Sequence, residues 1–241
     1  MRKFTVIYFR KYIATIVIAI TIVCVGLVAV LGQTGTTYSS SNIVKGVYYS
    51  GEEDSKNVSL MINVYWGDEY IEDMLDILKE KNAQATFFLG GTWATDNEEI
   101  ILRMVEDGHE LANHGYSHKD CDKLSKEQVE DEITKTHNIV KSYTGLDMSL
   151  FMPASGAYDE ATVEVASSLS YKTIMWSKDT IDWRDQDKSL IYSRATKEGK
   201  GGDLILMHPT LETKNALREI IEYYQNNSFS LVSVSKNINS I

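Results

Sequence analysis

Two histidines, His114 and His118, stand four residues apart in the stretch NHGYSH at 113–118. At that spacing one turn of helix or a tight loop can aim both imidazoles at one cation, as first-row divalent metals require. Spacing alone does not separate this reading from two solvated loop histidines. Three further groups of polar residues bear on the choice: VSLMINVYWGDEY at 58–70, FMPASGAY at 151–158 with WSKDTIDW at 176–183, and ILMHPT at 205–210. By type alone, His208 reads as a strand-end residue hydrogen-bonded to backbone, and Trp66 and Trp183 read equally as rim packing. Asp68 and Glu69 suit the first turn of a helix, where carboxylates favour the dipole, with a replacement metal ligand as the alternative. His109 and His137 carry no motif and read as surface histidines.

Elements must bring these groups together. Apolar, β-rich runs at 58–64, 85–89, 150–152, 173–176, 204–207 and 231–234 alternate with amphipathic stretches at 70–81, 97–107, 126–143, 159–168, 189–197 and 214–224. The short run 110–113 leads into the histidine loop. Alternation of this kind predicts parallel strand pairing, in a closed or distorted barrel or a doubly wound sheet, and patterning does not choose between them. One feature favours the barrel: every polar group above follows a predicted strand, and barrel strands converge on a single C-terminal rim.

The chain has 241 residues, enough for one sizeable domain, and a formal charge of −10. Residues 1–32 hold four basic side chains and no acid, so the remainder carries 20 Lys and Arg against 34 Asp and Glu, or −14. A surface that acidic excludes nucleic acid as the expected partner, because phosphates are neutralised by Lys and Arg. Residues 12–31 are uncharged and span a hydrocarbon core of about 30 Å at about 1.5 Å per residue. The run exceeds a signal-peptide core, so an uncleaved transmembrane anchor is expected. Its basic flank, 1–11, stays in the cytoplasm, which places the protein at the cell membrane as a single-pass chain with an extracytoplasmic domain. Residues 32–43 are small and polar and read as a linker, with the folded domain at 44–241. Cys24 falls in the anchor and Cys121 in the domain, so no intradomain disulfide forms, and Cys121 is expected to be buried and inert.

The order of these stretches, together with ATFFLGGTWA at 85–94, resembles the polysaccharide deacetylases of carbohydrate esterase family 4. The likeness runs from Val58 to Val234, and the WGD and HPT tripeptides resemble a sporulation-associated branch. It implies a distorted (β/α) barrel that removes acetyl groups from N-acetylglucosamine or N-acetylmuramic acid units of cell-wall glycan, using a divalent metal, usually zinc. The resemblance implies that His114 and His118 are metal ligands and His208 is the acid that protonates the leaving amine. It implies that Asp179 orients His208, that Trp183 is a sugar-stacking groove wall, and that Ser155 offers a backbone N–H to an oxyanion.

The departures fall where amide hydrolysis needs its base and its third ligand. Family members read TFDDG where this chain reads Met61-Ile62-Asn63-Val64-Tyr65, so the base position is an amide and the metal carboxylate position an isopropyl group. Met152 replaces the Arg that orients the base. Metal binding is therefore expected to be weak or absent. Three functions compete: a glycan-binding domain with an impaired site, an active deacetylase with a rearranged site, and an exported protein-interaction domain. The first is favoured.

Overall fold

The computed structural model describes residues 46–239, all within the compact unit Val44–Ile241. The basic tail, the expected anchor at 12–31 and the linker lie outside the described residues. Among the described residues no helix is long and apolar enough to cross a membrane.

Strands β1 (Val47–Tyr48), β2 (Asn57–Val64), β3 (Ala85–Leu89), β4 (Glu110–Asn113), β5 (Leu150–Phe151), β6 (Lys172–Ile174), β7 (Lys178–Asp179) and β8 (Leu204–Met207) pair in the order β1-β6-β5-β4-β3-β2-β8-β7. Strand β9 (Ser230–Leu231) adds to the start of β2, and every pairing is parallel. Helices α1 (Asp68–Glu80), α2 (Gly91–Asp96), α3 (Glu98–Glu106), α4 (Lys126–Thr144), α5 (Glu160–Ser168), α6 (Lys188–Thr196), α7 (Leu211–Asn226) and α8 (Val234–Ile238) complete the unit.

The strand order requires the sheet to curl. Six neighbour steps separate β6 from β7, about 29 Å in a flat sheet at ~4.8 Å per step. Yet only Met175, Trp176 and Ser177 join the two strands, and four Cα steps reach at most about 14 Å. The margins therefore fold toward each other. Because β1 and β7 end the hydrogen-bonded path, the architecture is a curled, open parallel half-barrel, and the expected barrel is not closed.

Alternation along the strands divides the core in two. Val58, Leu60, Ile62 and Val64 of β2, Phe87 of β3 and Ile205 of β8 pack outward with helix residues such as Ile71, Met74 and Ile220. Met61, Phe88, Ala112, Leu204 and Leu206 face inward and pack with Val234 and Ile238 of α8. Helix α8 closes the interior at the strands' N-terminal ends, where Val234 N donates to Thr86 Oγ1 and Asn237 Nδ2 to Ser59 Oγ. The opposite, C-terminal end stays open to the loops.

Most predicted elements appear within a few residues of their expected limits. The expected strand at 231–234 is instead the end of β9 followed by α8, which Ser233 starts by accepting a hydrogen bond from Lys236 N. Helix α4 starts on a reciprocal cap between Ser125 and Gln128. Gly67 precedes α1 at φ 89°, and a Cβ there would lie 2.2 Å from Pro209 O. That close approach ties the loop after β2 to the loop after β8.

Candidate functional site

Strand parity sends Asn63, His114, Met152 and His208 toward the open end of the half-barrel. His114 follows β4 and is buried; its Nδ1 donates to Met152 O at 2.8 Å. That bond fixes the neutral tautomer and leaves the Nε2 lone pair facing inward. Asn63 meets it there: its Nδ2 lies 3.4 Å from His114 Nε2 and 3.2 Å from Met152 Sδ. Asn63 is 5% exposed and its Oδ1 is buried without a partner among the described residues. Burial first, then the charge of His118, pushes the His114 pKa down to about 3.

His118 sits in the loop after β4 with its ring centroid 5.1 Å from that of His114. Its backbone takes φ 53°, and Glu132 of α4 braces the turn by accepting from Tyr116 N, Ser117 N and Ser117 Oγ. Burial, then the charge of His208, lowers its pKa as well. Tyr65, which stands where the family motif has glycine, lays its ring 4.8 Å from that of His118. It fits because Gly90 lies beneath it; a Cβ at Gly90 would come within 2.5 Å of the Tyr65 ring.

The third histidine is held by a different carboxylate from the one expected. Asp182, fully buried, accepts from His208 Nδ1 at 2.8 Å, from His208 N at 2.6 Å and from Thr213 Oγ1 at 2.6 Å. Asp179 instead accepts from Ile181 N at 2.8 Å, turning the chain, and burial raises its pKa above the ordinary carboxylate value. The assignment of Asp179 as the residue that orients His208 is corrected to Asp182. The geometry depends on Ile181 at φ 53°, an unfavourable conformation for a β-branched residue. Arg194 secures the kink by donating to Thr180 O at 2.9 Å and to Asp185 at 2.6 Å.

Among the described residues seven non-glycine positions have positive φ, and four of them, Asn82, Ser170, Glu198 and Ser228, follow helix ends, where left-handed residues are ordinary. The other three are His118, Ser155 and Ile181, all in loops at the open end. Strain at these three positions therefore goes with the site and not with helix termination. Ser155 lies in a short 3-10 turn, Ala154–Gly156, and is exposed. Trp183 is 56% exposed beside Arg184, and Trp66, 45% exposed, stacks on His208 with centroids 6.0 Å apart.

Several expectations change. His109 is buried, accepts from Ala85 N through Nδ1, and packs edge-on against Phe87; it is not a surface histidine. His137 is half-buried, with Nδ1 2.6 Å from Tyr171 Oη and Nε2 3.1 Å from Asp147. Cys121, by contrast, is buried as expected, and burial pushes its thiol up to about 12. Asp68 is committed to the indole N–H of Trp93, which argues against it as a substitute metal ligand. Sequence reasoning passes over Asp182 and Glu132. Asp182 stands three residues from a better-matching aspartate, and Glu132 has the sequence surroundings of any solvated helix charge.

A zinc centre that works by polarising water needs three protein ligands and an open position. Here His114 and His118 supply two, while Val64 packs into the helix-side core. Among the described residues no group of three or more His, Cys, Asp or Glu is disposed to hold a metal. The donor set does not fit such a centre.

The polysaccharide deacetylase profile matches residues 50–174. The uncharacterized protein YlxY of Bacillus subtilis is 35% identical over 188 residues, covering 78% of this chain and 59% of that protein. The peptidoglycan-N-acetylmuramic acid deacetylase PdaA of the same organism is 28% identical, covering 70% of this chain and 65% of its own. The matched region is thus less than two thirds of either relative. The crystal structure of BA3943, described as a CE4 family pseudoenzyme from Bacillus anthracis, superposes with a TM-score of 0.77 at 32% identity, covering 80% of this chain and 68% of that one. A mutant of BA3943 described as having restored enzymatic activity superposes equally well. By profile, sequence and architecture together, this chain belongs to the polysaccharide deacetylase family.

Proposed function

We propose that this chain is a membrane-anchored, catalytically impaired polysaccharide deacetylase that binds N-acetylated cell-wall glycan. The observation that carries the reading is Asn63, whose amide hydrogens point at His114 and Met152, where the family's chemistry requires a carboxylate base. An amide cannot take a proton from water at useful pH. The exposed rings of Trp66 and Trp183 beside the His208–Asp182 pair suit the apolar faces of sugar rings. PdaA, by its name, acts on peptidoglycan, and BA3943, by its description, is a pseudoenzyme; both support the reading. A second reading, an active deacetylase with a rearranged site, draws on the intact His208–Asp182 pair.

The deciding experiment measures retention of the full chain on acetylated peptidoglycan and chitooligosaccharide alongside acetate release. Retention that falls several-fold in Trp183→Ala, with acetate at background, is expected. Robust release abolished by His208→Ala would establish the second reading, and no retention on either glycan would end the first.

A further inference from the structure

We propose that Asp179 and His208 together hold the ammonium group of a de-N-acetylated sugar, so that the glycan this domain favours is one partly stripped of its acetyl groups. The inference rests on the glycan reading above and names the feature of the chain that the groove selects.

Strand register puts the two groups on one wall. Asp179 ends β7 and pairs with Leu206 of β8, which packs into the interior of the half-barrel. Registered residues of a parallel pair stand on the same face, and residues i and i+2 of one strand share it. Asp179 therefore faces inward, and His208 follows Leu206 on that face, just past the end of β8. At about 4.8 Å between strands and about 3.3 Å per residue, the two side chains root within roughly 8 Å of each other. The charge of His208 acts on the Asp179 carboxyl accordingly.

Each group has an unused acceptor. His208 donates from Nδ1 to Asp182, so its neutral ring keeps the Nε2 lone pair. Among the described residues Asp179 accepts a single hydrogen bond, from Ile181 N to Oδ1, and the residue is half-buried, open to a ligand on one side. The nearby guanidinium groups are taken, because Arg184 and Arg194 both donate to Asp185. Burial raises the Asp179 pKa, and neither Ile181 N nor the neighbouring positive charges cancel that rise. A carboxylate in this state gains from a cation that brings N–H donors of its own.

Amine chemistry then selects the sugar. A glucosaminium nitrogen carries three N–H donors and a positive charge, which match a carboxylate oxygen and an imidazole lone pair. An N-acetylated nitrogen carries one N–H and no charge. Trp183, 56% exposed and four residues on from Asp179, and Trp66, stacked on His208, suit the apolar faces of the same chain. The charge of −14 over residues 33–241 also draws in any polycation, so the experiment has to separate the site from that background.

The test is calorimetric titration of the full chain in detergent with a chitin tetrasaccharide, the matching chitosan tetrasaccharide and tetralysine. At ~0.15 M salt the chitosan form should bind about tenfold more tightly than the chitin form, and tetralysine at least about tenfold more weakly than chitosan. Asp179→Asn keeps an oxygen for Ile181 N while removing the charge, and should bring the two sugars within about twofold of each other. The wild-type comparison does not depend on that variant folding. Chitin bound as tightly as chitosan, tetralysine bound as tightly as chitosan, or a preference that survives Asp179→Asn would each overturn the inference and leave the glycan reading standing. Binding of neither sugar would end both.

Discussion

Replacing Asp182 by alanine removes the acceptor for three donors at once, His208 Nδ1, His208 N and Thr213 Oγ1, all between 2.6 and 2.8 Å from a fully buried carboxylate. Hydrogen bonds to a charged group contribute about 1.5–3 kcal/mol each, so the gross loss is roughly 4.5–9 kcal/mol. Removing the carboxylate also relieves its desolvation, several kcal/mol after relaxation, leaving a net cost of about 3 kcal/mol. Asp179→Ala loses one bond to Ile181 N from a carboxylate that burial already disfavours, and should cost about 1 kcal/mol or less. Urea unfolding followed by circular dichroism measures both. Tryptophan fluorescence adds a local readout, because Trp66 stacks on His208 and should respond to Asp182→Ala alone. If Asp179→Ala costs as much as Asp182→Ala, the assignment of the orienting carboxylate is wrong.

Further outcomes follow from the same geometry. His109 has a folded pKa of about 4, lowered by burial from 6.5, so the unfolded chain takes up its proton first. Its contribution is intact above pH 6.5 and is lost as pH falls toward about 4, reaching about 3 kcal/mol. His109→Gln should lose correspondingly less over that window, and parallel stability curves would refute the cause. The combined Asn63→Asp, Val64→Asp, Met152→Arg variant with zinc should raise acetate release by roughly 10²-fold or more, provided that the end of β2 turns the new carboxylate at position 64 out of the helix-side core toward His114 and His118, and single changes should help far less. No gain would mean that the groove has left the family geometry. Val64→Asp alone puts a carboxylate in the helix-side core and should cost roughly 3 kcal/mol without metal, read as a lower urea midpoint. For the proposed anchor, protease added to intact protoplasts should remove the domain; protection of the domain would reject it.

The parts of this protein visible in its sequence are those that a local pattern encodes. Buried runs such as 57–64 and 204–207 announce strands, and the apolar spacing of 126–144 announces a helix. Two-residue strands such as Val47–Tyr48 and Lys178–Asp179 carry too few residues to show any period. His114, His118 and His208 are marked by motif, and the parallel direction of the strands brings their loops to one end. The choice between Asp179 and Asp182 is hidden because it turns on a left-handed Ile181, a conformation that isoleucine's own preferences argue against. His109 reads as exposed because one polar residue between two short elements gives no sign of the Phe87 ring that covers it.

The pairing order has a consequence for how the molecule assembles. Strands β2 to β5 pair as successive neighbours, so that side of the sheet can grow as the chain appears. The other side of β2 waits for β8: Leu60 pairs with Ile205, 145 positions later. At a synthesis rate of about 5–20 residues per second, that interval lasts roughly 7–29 s. Throughout it, an eight-residue strand with five apolar side chains presents an open edge to any other chain nearby. Slow folding and a need for protection during biogenesis are therefore written into the strand order itself.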